Sequence, residues 1–411
     1  MNRKQLLIVL VVGLVLGGIG LYLNKQKSES YSSNSKLTTD KLLGDFPIND
    51  VTLVTIRQST NEVNLAKADV WSVKERDGYP ANSGDIIELA RKLWDLRPAQ
   101  SQKIGESQLG RMELLPPDKG GTNSATLVEL KGKDGKAIRT ILLGKKSMRA
   151  GGDDQFGGGG WPNGRWVYLP DKPGATYLVT EAFAEIEPKP ERWLSKDFFK
   201  VEKIKSIAVT FPEATNSWKL IRESESGEWK LADAKPEEKL DSAKTSSFSY
   251  ALSSPSFTDV AIGLSPAQTG LDKPTTAVLE TFEHLTYTIQ VGDKTNDNVY
   301  LTVAVAGDLP KERTPGKDEK PEDKERLDKE FKDQQKKVEE KVAAEKKLAK
   351  STYLVSNWTI DSLLKERSTL LTEKKEEEKK DGATEPAPGA TAFPGGALPG
   401  ADPLSHDGHD H

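Results

Sequence analysis

Phe46-Pro-Ile-Asn-Asp-Val-Thr-Leu-Val-Thr-Ile56 and Phe199-Lys-Val-Glu-Lys-Ile-Lys-Ser-Ile-Ala-Val209 carry one pattern twice. Each opens on an aromatic residue, takes a short polar step and continues with apolar residues at alternate positions, the period of a half-buried strand. The likeness runs on from there, as an internal duplication should. Val63-Asn-Leu-Ala-Lys67, a turn and Val70-Trp71-Ser-Val73 predict a hairpin. Trp218-Lys-Leu-Ile221, a turn and Trp229-Lys-Leu231 predict its counterpart, with Trp on the second strand of both. Helices are expected next, over 83–96 and 241–252. In the first, Ile86, Ile87, Leu89, Ala90, Leu93 and Trp94 recur at three- and four-residue steps, and Ser83 or Asp85 is placed to cap.

Farther along, 138–144 parallels 287–292, 166–169 parallels 299–303, and Tyr177-Leu-Val-Thr180 parallels Tyr353-Leu-Val-Ser356. Short closing helices are expected over 181–186 and 357–364. The order is three strands, a helix, three strands and a helix, twice over. Period-two strands joined by short Gly or Asp turns imply antiparallel sheets covered by helices on one face. The expected fold class is therefore α+β, built from two tandem repeats of an antiparallel-sheet-plus-helix unit.

Ahead of the repeats stands an apolar run over 6–23, directly behind Asn2-Arg3-Lys4 and free of charge. It reaches the length needed to span a hydrocarbon core as a helix, roughly 20 residues with a tolerance down to about 17. It exceeds the apolar core of a cleaved secretory signal, about 7 to 15 residues. An N-terminal transmembrane helix is thus predicted. Arg3 and Lys4 nearly balance Lys25 and Lys27, but the free amino terminus keeps the short head inside. The body is then extracytoplasmic, on a bacterial inner membrane crossed once. Gly13 and Gly17 have the small-x-x-x-small spacing that lets membrane helices approach closely and are candidates for helix packing.

The expected organisation is a membrane anchor over 1–24, a linker over 25–41, a first repeat over 42–187 and a linker over 188–192, where two prolines interrupt. A second repeat follows over 193–365, with a charged helical insertion over 310–350, and then a low-complexity disordered tail over 366–411. In the insertion Leu327, Phe331, Val338, Val342 and Leu348 make a stripe too thin for a core helix, so a solvated excursion is expected, or an arm that lays the stripe on a partner.

Charge and composition narrow the function. The formal net charge is -4, but the tail from 373 onward holds nine acidic and four basic residues, leaving +1 for the rest. No basic face for nucleic acid is announced. Cysteine is absent. The Gly-rich stretch over 151–164 would have to open a helix to cradle phosphate, whereas this one opens a strand. Phe156 and Trp161 within it are candidates for partner contact, since glycines cannot bury them. His406, His409 and His411 lie in the tail, with no fold to preset a metal site. His284 is the one histidine of the body and reads as a surface residue. Asp153 and Asp154 are adjacent, whereas a glycan hydrolase needs two opposed carboxyls about 5 to 10 Å apart. No catalytic residue, no cofactor and no metal is expected.

The Tyr79-Pro-Ala-Asn82 step before a helix, Trp193-Leu-Ser-Lys-Asp-Phe-Phe199 leading into Val201-Glu-Lys-Ile-Lys-Ser-Ile207, and the two Tyr-Leu-Val closings resemble the bacterial membrane-anchored proteins grouped as domain of unknown function 4340. The resemblance covers most of 42–364 and rests on packing and turn patterns. It implies protein partners in ABC-type export systems of the gliding-motility kind. The charged insertion and acidic tail depart from the usual pattern. The function expected is a single-pass, membrane-anchored, extracytoplasmic binding or scaffold protein accessory to an ABC-type transport complex. The alternative is a cell-envelope glycan hydrolase using carboxylates.

Overall fold

The computed structural model describes residues 40–119, 121–148, 162–315 and 319–372. The alternating apolar residues of β1 (Leu53–Gln58) and β2 (Asn61–Lys67) pair antiparallel, with Val54 opposite Leu65 and Ile56 opposite Val63. That register puts all four on one buried face, because a strand turns successive side chains to opposite sides. β3 (Trp71–Val73) and β4 (Tyr79–Pro80) extend the sheet on one side. β6 (Thr126–Lys131), β7 (Ala137–Met148), β8 (Pro162–Tyr168) and β9 (Ala175–Val179) extend it on the other, and β5 (Pro98–Lys103) closes the far edge. The order of this nine-stranded sheet is β4-β3-β2-β1-β6-β7-β8-β9-β5.

A second sheet holds β10 (Ile204–Thr210), β11 (Trp218–Ile221), β12 (Lys230–Leu231), β13 (Phe257–Ala261), β14 (Thr275–Thr281), β15 (Leu285–Thr295), β16 (Asn298–Gly307) and β17 (Thr352–Ser356). Its eight strands run β12-β11-β10-β14-β15-β16-β17-β13. Apart from β4, this is the strand order of the first sheet. The side-chain registers correspond as well: Val73 lies opposite Leu65 and Leu231 opposite Leu220, which sets Trp71 and Trp229 two residues upstream at like places.

One apolar core joins the inner faces of both sheets. A smaller cluster of Ile104, Leu109, Leu114, Ala125, Leu142 and Tyr168 covers the outer side of the first sheet, so β7 is buried on both faces around Leu142. Between the sheets, residues 188–192 lead into a 3-10 turn, Pro190–Trp193. Trp193 is 1 % exposed, its indole N–H donates to Glu187 O at 2.9 Å, and Leu194 bridges Ala81. Tyr79, Phe198, Phe257 and Tyr353 stack edge to face or tilted across this junction, with centroids 4.9–6.2 Å apart. The Arg76 guanidinium donates twice to Asp259, both bonds 2.7 Å, tying the turn after β3 to β13.

Helices are few. α1 (Ser83–Trp94) is amphipathic and buries Ile86, Leu89, Ala90 and Leu93. Its cap is Asn82 rather than Ser83 or Asp85: the Asn82 side chain accepts from the N–H groups of Gly84 and Asp85. α2 (Ser242–Thr245) and α3 (Pro266–Thr269) are single turns. α4 (Pro321–Glu345) is the long charged helix, and α5 (Asn357–Ile360) is again one turn.

The fold class expected from sequence is corrected here. The described residues form two large antiparallel sheets with few helices, and the sheets share one core instead of each standing under its own helical layer. No helix forms over 181–186, where Phe183 takes a left-handed backbone conformation (φ 48°) that an α-helix cannot contain. Over 241–252 only one α turn forms. There the Thr245 hydroxyl donates to the carbonyls of Asp241 and Ser242, in a Ser/Thr-rich stretch whose side chains compete with the helix. The transmembrane helix expected over 6–23, with Gly13 and Gly17, lies outside the described residues. Among those described, no helix is long and apolar enough to cross a membrane.

α4 is less solvated than its thin stripe suggests. Val338, Val342 and Glu345 are buried at its C-terminal end, which packs along β16, while the turns before them stand mainly exposed. Glu345 accepts from Lys200 N–H at 3.1 Å and meets the Tyr287 hydroxyl at 2.8 Å, and that hydroxyl also lies 3.0 Å from Lys200 O. Burial pushes the Glu345 carboxyl above the usual carboxylate range, and burial beside that carboxyl keeps the Tyr287 hydroxyl protonated.

Candidate functional site

Three clefts of the described residues lie against the two sheets and carry polar side chains. The first, about 250 Å³, lies between α1 and the 181–186 turn and is rich in carboxylates. Each of its acids meets a cation: Asp85 meets Arg192 at 2.6 Å, Glu185 meets Arg192 at 3.7 Å, and Glu88 and Glu181 meet Lys92 at 3.0 and 3.6 Å. The carboxylates of this cleft are thus committed to cations of the fold, whereas a glycan hydrolase needs two carboxyls opposed across its substrate.

The second cleft, about 310 Å³, opens where α4 leaves the second sheet, between Phe282, Leu309, Pro310 and Phe331. His284 lines it. The residue is exposed and left-handed (φ 62°) in the turn between β14 and β15, as a surface position allows. No nucleophile or acid partner is bonded to it among the described residues.

The third cleft, about 420 Å³, is different in charge. Lys145, Lys146 and Arg165 line it, together with Gln58, Glu113, Thr126 and Glu187. Two strands build it. β7 presents the lysines to solvent, and β8 sends Arg165 inward, where it is 7 % exposed. Its guanidinium donates to three backbone carbonyls: Gly144 O at 2.8 Å, Phe183 O at 3.0 Å and Leu143 O at 3.4 Å. Among the described residues it makes no ion pair, and burial brings its pKa down to about 10. Glu187 is engaged elsewhere, with Lys189 at 2.7 Å.

The sequence reading did not single out Arg165. It begins the strand at Trp166, whereas β8 starts four residues earlier at Pro162, and so leaves the arginine in the preceding loop. Phe156, Trp161, Asp153 and Asp154 lie outside the described residues, as do His406, His409 and His411. No group of three or more metal-ligating side chains occurs among the described residues.

No curated protein matches the chain, and no solved structure does. A family model does match, over the stretch that runs from Trp71 in the first sheet to the approach to β14 in the second. Through residues 71–274 the chain belongs to the family described as domain of unknown function (DUF4340).

Proposed function

We propose that this chain is a binding or scaffold protein, anchored to a membrane by its first residues with the body outside the cytoplasm, and accessory to an ABC-type transport complex. The observation that carries the reading is α4. A 25-residue helix is fastened through Val338, Val342 and Glu345, and the turns before them stand mainly exposed, with Lys324, Lys329, Lys332 and Lys336 open to solvent among the described residues. Such a helix costs side-chain order and contributes little to the core, so its use lies in what it meets. The paired acids of the first cleft weigh against the glycan-hydrolase alternative.

The test is copurification from native membranes after crosslinking. Reversing the charge of Lys324, Lys329, Lys332 and Lys336 should leave the thermal midpoint unchanged, because all four are exposed. Recovery of permease and ATPase subunits should fall at least tenfold. Recovery equal to wild type would remove α4 as the contact and this reading with it.

A further inference from the structure

One structural step occurs in both sheets, and the two versions differ in charge. In β7 the pairing with β8 jumps from Leu143 opposite Val167 to Lys146 opposite Arg165. In β15 the pairing with β16 jumps from Val291 opposite Leu301 to Lys294 opposite Val299. Both bulges seat a glycine beneath a backbone carbonyl. A Cβ on Gly144 would stand 2.3 Å from Met112 O, and one on Gly292 would stand 2.0 Å from Thr269 O. Gly144-Lys145-Lys146 therefore takes the place of Gly292-Asp293-Lys294, and Arg165 takes the place of Val299. The next strand agrees, with Arg165 opposite Val179 and Val299 opposite Val355.

The same architecture is thus solved once with an apolar residue and once with a cation. Val299 is 0 % exposed, so nothing in the strand order calls for an arginine there. Burying a guanidinium without a carboxylate is costly unless something else compensates the charge. Arg165 carries five N–H donors and gives three to carbonyls, which leaves one on each terminal nitrogen. Lys145 and Lys146 line the same cleft and no acid pairs with them among the described residues. Bulges are places where a strand re-aims its side chains. We propose that Arg165, Lys145 and Lys146 form a binding site for a phosphate group, with Arg165 fixing two of its oxygens and the lysines neutralising the remaining charge. Glu113, on the rim of the cleft, opposes such a ligand and limits its affinity. The inference does not depend on α4 or on any protein partner.

The phosphate could be free or part of a lipid headgroup, and two soluble probes separate these sources. The full-length chain in a zwitterionic detergent is titrated calorimetrically with inorganic phosphate and, separately, with glycerophosphoglycerol, a phosphodiester headgroup without acyl chains. Binding of the first indicates a free phosphate ligand, and preference for the second a lipid. Lys145→Ala with Lys146→Ala should weaken whichever probe binds at least tenfold, and Glu113→Gln should tighten it several-fold. Arg165→Val, the residue of the second sheet, should abolish binding. Should that variant fail to fold, the lysine and Glu113 variants decide alone, since all three residues are exposed. Absence of binding by either probe, or affinities indifferent to Lys145, Lys146 and Glu113, would overturn the proposal.

Discussion

Glu345 offers the sharpest test of how α4 is held. The Tyr287 hydroxyl has one proton and two acceptors within reach, Lys200 O at 3.0 Å and Glu345 Oε2 at 2.8 Å. If Tyr287 donates to the carbonyl, Glu345 must supply the proton of the second bond. A neutral carboxyl does so, while its other oxygen still accepts from Lys200 N–H. Glu345→Gln reproduces that pattern, with the amide N–H₂ toward Tyr287 and the amide oxygen toward Lys200. It should cost less than about 1 kcal/mol at pH 5. Glu345→Ala leaves the part-buried Lys200 N–H without its acceptor and the Tyr287 hydroxyl without its carboxyl partner, and should cost about 1–3 kcal/mol.

The pH dependence has a definite sign. The native carboxyl titrates above its unfolded value, about 4.3. Its contribution is therefore complete below that value and is lost as pH rises through the raised native pKa. The glutamine variant has nothing to titrate at this site, so the wild type should weaken relative to it as pH rises from the unfolded value through the raised native one. Urea unfolding followed by tryptophan fluorescence, with both proteins at each pH, gives the difference free of other groups. A Gln variant as unstable as the Ala variant, or a gap that stays constant with pH, would refute the proton assignment.

Three further outcomes are expected. Gly292→Ala places a methyl 2.0 Å from Thr269 O, and because backbone must move to admit it the urea midpoint should fall by the equivalent of about 1–3 kcal/mol or more. A double-mutant cycle on Arg76→Ala and Asp259→Ala should yield a coupling of about 0.5–3 kcal/mol in denaturant melts, whereas a value near zero would mean the bidentate pair does not tie the sheets. Trp193→Ala should cost about 3–5 kcal/mol and should unfold both sheets in one transition, because its ring lies in their common core.

The strands were easier to read than the helices. Val54, Ile56, Val63 and Leu65 declare their face through period-two alternation, and α1 declares itself through apolar steps of three and four. The closing helix over 181–186 looked as good in local composition. What prevents it is the left-handed Phe183, whose backbone serves as an acceptor for Arg165 on strand β8, 18 residues upstream. α4 misled in another way, since its stripe is thin but meets the open flank of β16 along only its last turns. The third cleft was hidden for a simpler reason. Its arginine is legible only when Pro-Asn-Gly-Arg165-Trp-Val-Tyr168 is aligned with the strand opening at Asn298, where Val299 stands in its place.

The position of α4 in the chain has a last consequence, for how such proteins acquire new parts. β16 and β17 are neighbours joined by residues 308–351, 44 in number, whereas β8 and β9 are joined by the six residues 169–174. For a flexible connection, closing the longer one costs only about 1.8 kcal/mol more, since the penalty grows with the logarithm of length. Burying Val338 and Val342 offsets a sum of that size. The β16–β17 crossing is thus a tolerant port in the architecture. A reporter domain or an unrelated helix grafted between 308 and 351 should leave the strand pairing of the second sheet intact.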